Sequence, residues 1–112
     1  MTIEMLTAYG ANTKEGLHRC MNNEDFYLRL VKTISGDASF QRLYDAVEAG
    51  DLAAAFEAAH ALKGVLGNLS LTPMYELTCR MTELLRSRTE TDYTPMLTEL
   101  LSMRDELAEA CG

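Results

Sequence analysis

The chain has 112 residues, of which 47% are hydrophobic and 7% aromatic, with two prolines, seven glycines and no tryptophan. That length suits one domain, the apolar content can fill a core, and the wealth of Ala, Leu, Met and Glu favours helices over strands. Ten Lys and Arg against 17 Asp and Glu leave a net charge of −7, which excludes the basic face needed to bind nucleic-acid phosphates or an anionic membrane.

Cys20, Cys79 and Cys111 are odd in number and far apart, so they form neither a disulfide framework nor a metal-ligand spacing. The opening MTIEMLTAYG lacks the basic-then-apolar order of a secretion signal. The uncharged stretch Val65 to Tyr75 is too short and polar to span a bilayer. A reducing cytoplasm is the expected compartment, with no nucleic acid and no membrane among the partners.

A short apolar segment (Ile3, Met5, Leu6) comes first. Asn12 or Thr13 can cap a short helix to about Met21, with Glu15 answering back to the cap. Asn22 or Asn23 can cap the next, with Glu24 and Asp25 in its first turn. Its buried stripe is expected at Phe26, Leu30 and Ile34, with Tyr27 and Val31 beside it. Ser35-Gly36-Asp37 breaks this helix. A further helix covers about Ala38 to Ala49, with Phe40, Leu43, Tyr44 and Val47 on one side. Gly50 closes it and Asp51 caps a helix from Leu52 to about Asn68 or Leu69. After a turn, Thr72-Pro73 starts a helix reaching about Arg88, with Met74, Leu77, Met81, Leu84 and Leu85 inward. Thr94-Pro95 starts the last, with Leu97, Leu100, Leu101, Met103 and Leu107. Short turns between amphipathic helices predict an all-α chain: an antiparallel four-helix bundle with short additional N-terminal helices, one domain over 1–112.

The helix from Leu52 carries two stripes. Leu52, Ala55, Ala59, Leu62, Leu66 and Leu69 recur at steps of three and four and form a core seam. Phe56, His60, Lys63, Gly64 and Gly67 follow the same steps on an adjacent stripe. Two glycines inside a helix each cost about 1 kcal/mol relative to Ala. Close helix packing around a satisfied histidine would explain them blandly. The alternative is that His60 stands above a bare shelf at Gly64 and Gly67, where a partner can approach the ring. Lys63 lies on the same side and can balance a phosphoryl charge, while Phe56 offers the partner an apolar contact.

His60-Ala61-Leu62-Lys63-Gly64 reads H-A-L-K-G. It resembles the H-x-L-K-G signature of histidine-containing phosphotransfer (HPt) domains of two-component phosphorelays. The segment AGDLAAAFEAAHALKGVLGNLSLTPMYELTCRMTELL is similar to that family's phosphohistidine helix, turn and following helix. YGANTKEGLHRCMNNEDFYLRLVKTI looks like its amino-terminal helices, so the likeness covers nearly the whole chain. The resemblance implies His60 as phosphoryl acceptor and donor, Lys63 as the stabilising cation and Gly64 as steric clearance. Phe56, Gly67 and Thr82 are the expected partner-facing residues. The chain departs from the family at Ser70, where a Gly often follows the Asn-Leu, and at Thr82, where some members place a Gln near the imidazole.

The implied chemistry is attack by the imidazole, through the outlying Nε2, on an aspartyl phosphate of a receiver domain. The expected protein is thus a cytoplasmic phosphoprotein of signal transduction that carries phosphate between receiver domains, response regulators or hybrid kinases. It is expected to be monomeric, with no cofactor or metal of its own and Mg²⁺ supplied by the receiver. No phosphate-cradling Gly-rich loop or kinase motif set occurs, so the chain is expected to be a phosphocarrier and not an enzyme. The main rival is a non-catalytic helical adaptor that binds receivers without phosphorylation; it needs none of His60, Lys63 and Gly64. Metal or haem binding lacks the Glu-x-x-His pairs used in such bundles. Elsewhere, His18 reads as a surface residue, Cys79 as a small core residue, and Glu57, Glu76 and Glu83 as a solvated face. Arg86 and Arg88 suit a helix C-terminus.

Overall fold

A computed structural model describes residues 1–111. Seven α-helices follow in order: α1 (Ile3–Tyr9), α2 (Thr13–Arg19), α3 (Glu24–Thr33), α4 (Ala38–Glu48), α5 (Leu52–Asn68), α6 (Thr72–Arg86) and α7 (Thr94–Cys111). A single 3-10 turn, Ile34–Gly36, joins α3 to α4. No strand occurs among the described residues.

Local chemistry sets the boundaries. Asn12, Asn23, Asp37 and Asp51 each accept a backbone N–H of the first turn that follows, which satisfies donors the helix leaves unpaired. Pro73 occupies the first turn of α6. That helix stops at Arg86, two residues before the expected end, because Arg88 takes up a left-handed φ of 54°. At the end of α5, Leu71 N–H donates to the Leu66 carbonyl (3.0 Å) and Ser70 N–H to that of Gly67 (3.1 Å). These two bonds make a Schellman closure with Ser70 in the left-handed position, at φ 54°.

Helix α5 packs against α4 and α6, and α7 touches both α4 and α6, so these four helices close a cycle of contacts. One core runs from Leu6 to Leu107, and the seam of α5 supplies Ala55, Ala59, Leu62 and Leu66 at full burial. Two expected stripes are rotated. On α3 the core side is Tyr27 and Val31, continued by Ile34 in the turn that follows, while Phe26 is 44% exposed and Leu30 is half-buried. On α4, Ser39 and Ala46 join Phe40 and Leu43 inside, while Tyr44 is exposed. In both cases an aromatic ring, Phe26 or Tyr44, stays at the surface while a neighbouring residue goes inside. Cys79 is half-buried instead of wholly internal, and His18 is exposed.

The N-terminal helices latch onto one end of this assembly. Asn12 N–H donates to the Ser70 carbonyl at 2.9 Å. The Tyr27 hydroxyl donates to the Leu69 carbonyl at 2.7 Å, and the Tyr9 hydroxyl to that of Met103 at 3.0 Å. A side chain at Gly16 would overlap the Tyr27 ring; the glycine lets α2 lie against that ring. These contacts bring α2 beside the outer stripe of α5.

Candidate functional site

On the outer stripe His60 is exposed, Gly64 is exposed, and Lys63 and Phe56 are half-buried. The imidazole stacks on the Phe56 ring, with centroids 5.7 Å apart and planes 15° from parallel. One turn further, apart from its chain neighbours and its own helix backbone, nothing lies within 4 Å of where a Gly64 Cβ would stand. The notch beside the ring is therefore open. The ion pairs among the described residues are Arg19–Glu15, Arg86–Glu83 and Arg104–Asp105, so the Lys63 ammonium is not engaged by a carboxylate there.

A groove of about 550 Å³ begins at His60. It is lined by His60, Lys63 and Gly64 of α5, by Glu15 and Arg19 of α2, and by Asn12, which caps α2. Tyr75 of α6 also faces it. The Tyr75 phenol is pushed up from its ordinary pKa chiefly by the neighbouring Cys79 thiol, with the Arg19 guanidinium opposing. Among the described residues no group of three or more His, Cys, Asp or Glu side chains is placed to hold a metal ion.

The expected shelf is shorter than the sequence suggests. Gly67 is not open ground: a Cβ there would meet the Tyr75 ring at 2.9 Å. Its missing side chain makes room for an intramolecular contact, while Gly67 itself is half-buried and still lines the groove. Thr82 does not reach the expected partner-facing surface. It is fully buried, and its hydroxyl donates to the Thr78 carbonyl at 2.7 Å. A hydroxyl turned into its own helix in the core reaches neither a partner nor the imidazole.

Two residues at the site escaped the sequence reading. The guanidinium carbons of Arg86 and Arg88 lie over the Phe56 ring, 5.1 and 5.5 Å from its centroid. The signal was available in the hairpin itself. Helix α6 returns along α5, bringing Tyr75 to Gly67 and Arg86 to Phe56, so cations at the end of α6 must lie near the start of the outer stripe.

The assembly thus presents an exposed histidine beside a half-buried lysine and an open notch. The chain belongs to the Hpt domain family, whose family model matches residues 34–110. That span holds α4 to α7 and the whole outer stripe, while α1 to α3 lie before it. The family is one of phosphocarriers in two-component phosphotransfer. No curated protein and no solved structure matches the chain. No helix among the described residues is long and apolar enough to cross a membrane.

Proposed function

We propose that this protein carries a phosphoryl group between receiver-domain aspartates of a two-component phosphorelay, or from a hybrid kinase to a response regulator, as phosphohistidine at His60. The single observation that carries the reading is the exposed His60 ring with open space at Gly64 and a half-buried Lys63 beside it. An adaptor that merely binds receivers has no use for that trio. On this reading residues 1–112 act as one domain, α4 to α7 are an antiparallel four-helix bundle, and the protein is a cytoplasmic monomer.

The imidazole Nε2 lone pair attacks the phosphorus of the receiver's acyl phosphate. The N–P bond forms as the P–O bond breaks, and the aspartate carboxylate leaves with the electron pair. The Nδ1 proton stays on the ring or passes to water. Lys63 lies on the side where phosphoryl oxygens would rest and offsets their charge. Gly64 lets the receiver's loops close over the ring, so that reacting atoms align without a side chain in the way. Mg²⁺ is held by the receiver's acidic pocket, and this chain serves as phosphocarrier and not as enzyme.

Incubation with radiolabelled phospho-receivers is expected to leave an acid-labile, base-stable label on the wild-type chain. His60→Gln is expected to keep the helical circular-dichroism spectrum and take up none. Label on that variant would remove His60 from the mechanism, and binding of receivers without any label would favour the adaptor.

A further inference from the structure

An exposed histidine on a helix ordinarily samples several rotamers. In-line attack uses few of them, so an acceptor ring gains from being held. The near-parallel stack on Phe56 is one restraint. Phe56 is half-buried and is in turn covered by the guanidinium groups of Arg86 and Arg88.

Each cation makes a second contact within α6 or at its end. Arg86 Nε lies 3.5 Å from Glu83 Oε1, and Arg88 Nη1 donates to the Leu85 carbonyl at 2.6 Å. The backbone of Arg88 is fixed as well. Its N–H donates to the Leu85 carbonyl (3.0 Å), and that of Thr89 to the Leu84 carbonyl (2.9 Å). This closure resembles the one at Ser70 and puts Arg88 at φ 54°, where glycine is the unstrained choice. Service to the helix dipole explains the Leu85 contact. It does not explain two guanidinium groups gathered over one phenyl ring, or an arginine in a glycine's place.

We propose that Arg86 and Arg88 are positioning residues for phosphoryl transfer, clamping the Phe56 ring so that it holds the His60 imidazole in one orientation. The inference rests on His60 being the phosphoryl acceptor. It adds the layers behind that ring: guanidinium groups, phenyl and imidazole in series, with the outermost layer pinned to the end of α6. The arginines touch no reacting atom and act through Phe56.

Three variants test this: Phe56→Leu, which keeps apolar bulk without the aromatic face; Phe56→Tyr, which keeps the ring; and the double variant Arg86→Gln with Arg88→Gly. The glycine relieves the left-handed position, so loss of the α6 end does not confuse the result. In ¹H–¹³C spectra the wild-type His60 ring protons are expected upfield, in the ring current of Phe56. They should move back in Phe56→Leu, move part way in the double variant, and stay in Phe56→Tyr. In single-turnover transfer from a phospho-receiver, Phe56→Leu and the double variant should lower the saturated rate about tenfold, with the half-saturating receiver concentration changed less than about twofold. Phe56→Tyr should recover most of the saturated rate that Phe56→Leu loses. Unchanged His60 resonances and an unchanged saturated rate in the double variant would overturn the clamp. So would a loss confined to the half-saturating concentration, since it would make the arginines partner contacts. If the wild type takes up no label, the carrier reading itself falls; the ring-proton arm still decides whether the clamp orients His60.

Discussion

The outer stripe of α5 has two ends that are treated in opposite ways. Around His60 and Gly64 the stripe is open, with nothing beyond its own helix within 4 Å of the missing Gly64 side chain. Around Gly67 and Ser70 it is crowded by the chain's own groups, although both residues still line the groove. Tyr75 fills the space over Gly67, Asn12 N–H binds the Ser70 carbonyl, and the Tyr27 hydroxyl binds that of Leu69. Two glycines only three residues apart thus differ in surroundings, one leaving open space beside His60 and the other admitting the chain's own ring. Glycine in a helix signals a close approach, but the sequence does not say what approaches.

The sharpest way to break this contrast is to fill both positions. Gly64→Gln should leave thermal stability at or slightly above wild type, since a helix-interior glycine is replaced in open space. Phosphoryl uptake from a receiver should fall about a hundredfold or more, because the added side chain stands where reacting atoms must align. Gly67→Leu should do the reverse. Displacing the Tyr75 ring should cost about 2 kcal/mol in denaturant unfolding, while uptake by the remaining folded protein stays near wild type. Equal uptake in the two variants would show that the open end has no special role.

The helices were legible because capping and periodicity are local. Asn12, Asn23, Asp51 and Thr72-Pro73 mark real starts, and the core seam of α5 stands as its steps of three and four require. The faces of α3 and α4 were less legible, because Tyr27 and Ala46 differ little from Phe26 and Val47 in apolar pattern and only the facing helices choose between them. His60, Lys63 and Gly64 were readable as a motif. The Arg86–Phe56 and Tyr75–Gly67 contacts were not, because they depend on how α6 lies along α5. Thr82 failed for a similar reason: a threonine inside a helix can bond its own backbone, and a family alignment does not reveal that it has done so.

The crowded end can be loosened more gently. Tyr27→Phe removes the hydroxyl that reaches Leu69 and should cost about 1 kcal/mol. Burial, followed by the charge of Cys20, pushes the Tyr27 phenol up to about 12 from an ordinary 10.0. A group whose pKa is raised by folding contributes stability that is intact below its unfolded value and is lost as pH climbs through its folded one. Wild-type stability should therefore decline between about pH 10 and 12, and Tyr27→Phe should decline less. Tyr9, also raised to about 12 by burial, should keep some of the slope. A pH profile identical in the two proteins would mean that Tyr27 is not held neutral by its site.

The smallest effect is expected at Ser70, and its sign is the informative part. This residue has φ 54° in the closing turn of α5, and its Oγ is buried without a hydrogen-bond partner. Both features disfavour serine: a side chain in the left-handed region is strained, and an unpaired buried hydroxyl loses its water. Ser70→Gly removes both at once. The backbone bonds from Ser70 to Gly67 and from Leu71 to Leu66 need no side chain, nor does the carbonyl that receives Asn12. The variant should gain about 1 kcal/mol, less whatever a more flexible unfolded chain subtracts, and transfer through His60 should be unaffected. Ser70→Ala separates the two causes. It removes the unpaired hydroxyl but keeps the strained side chain, so it should fall between wild type and glycine. If Ser70→Gly is destabilised instead, the serine hydroxyl must be satisfied in solution, and the crowded end of the stripe owes part of its stability to that group.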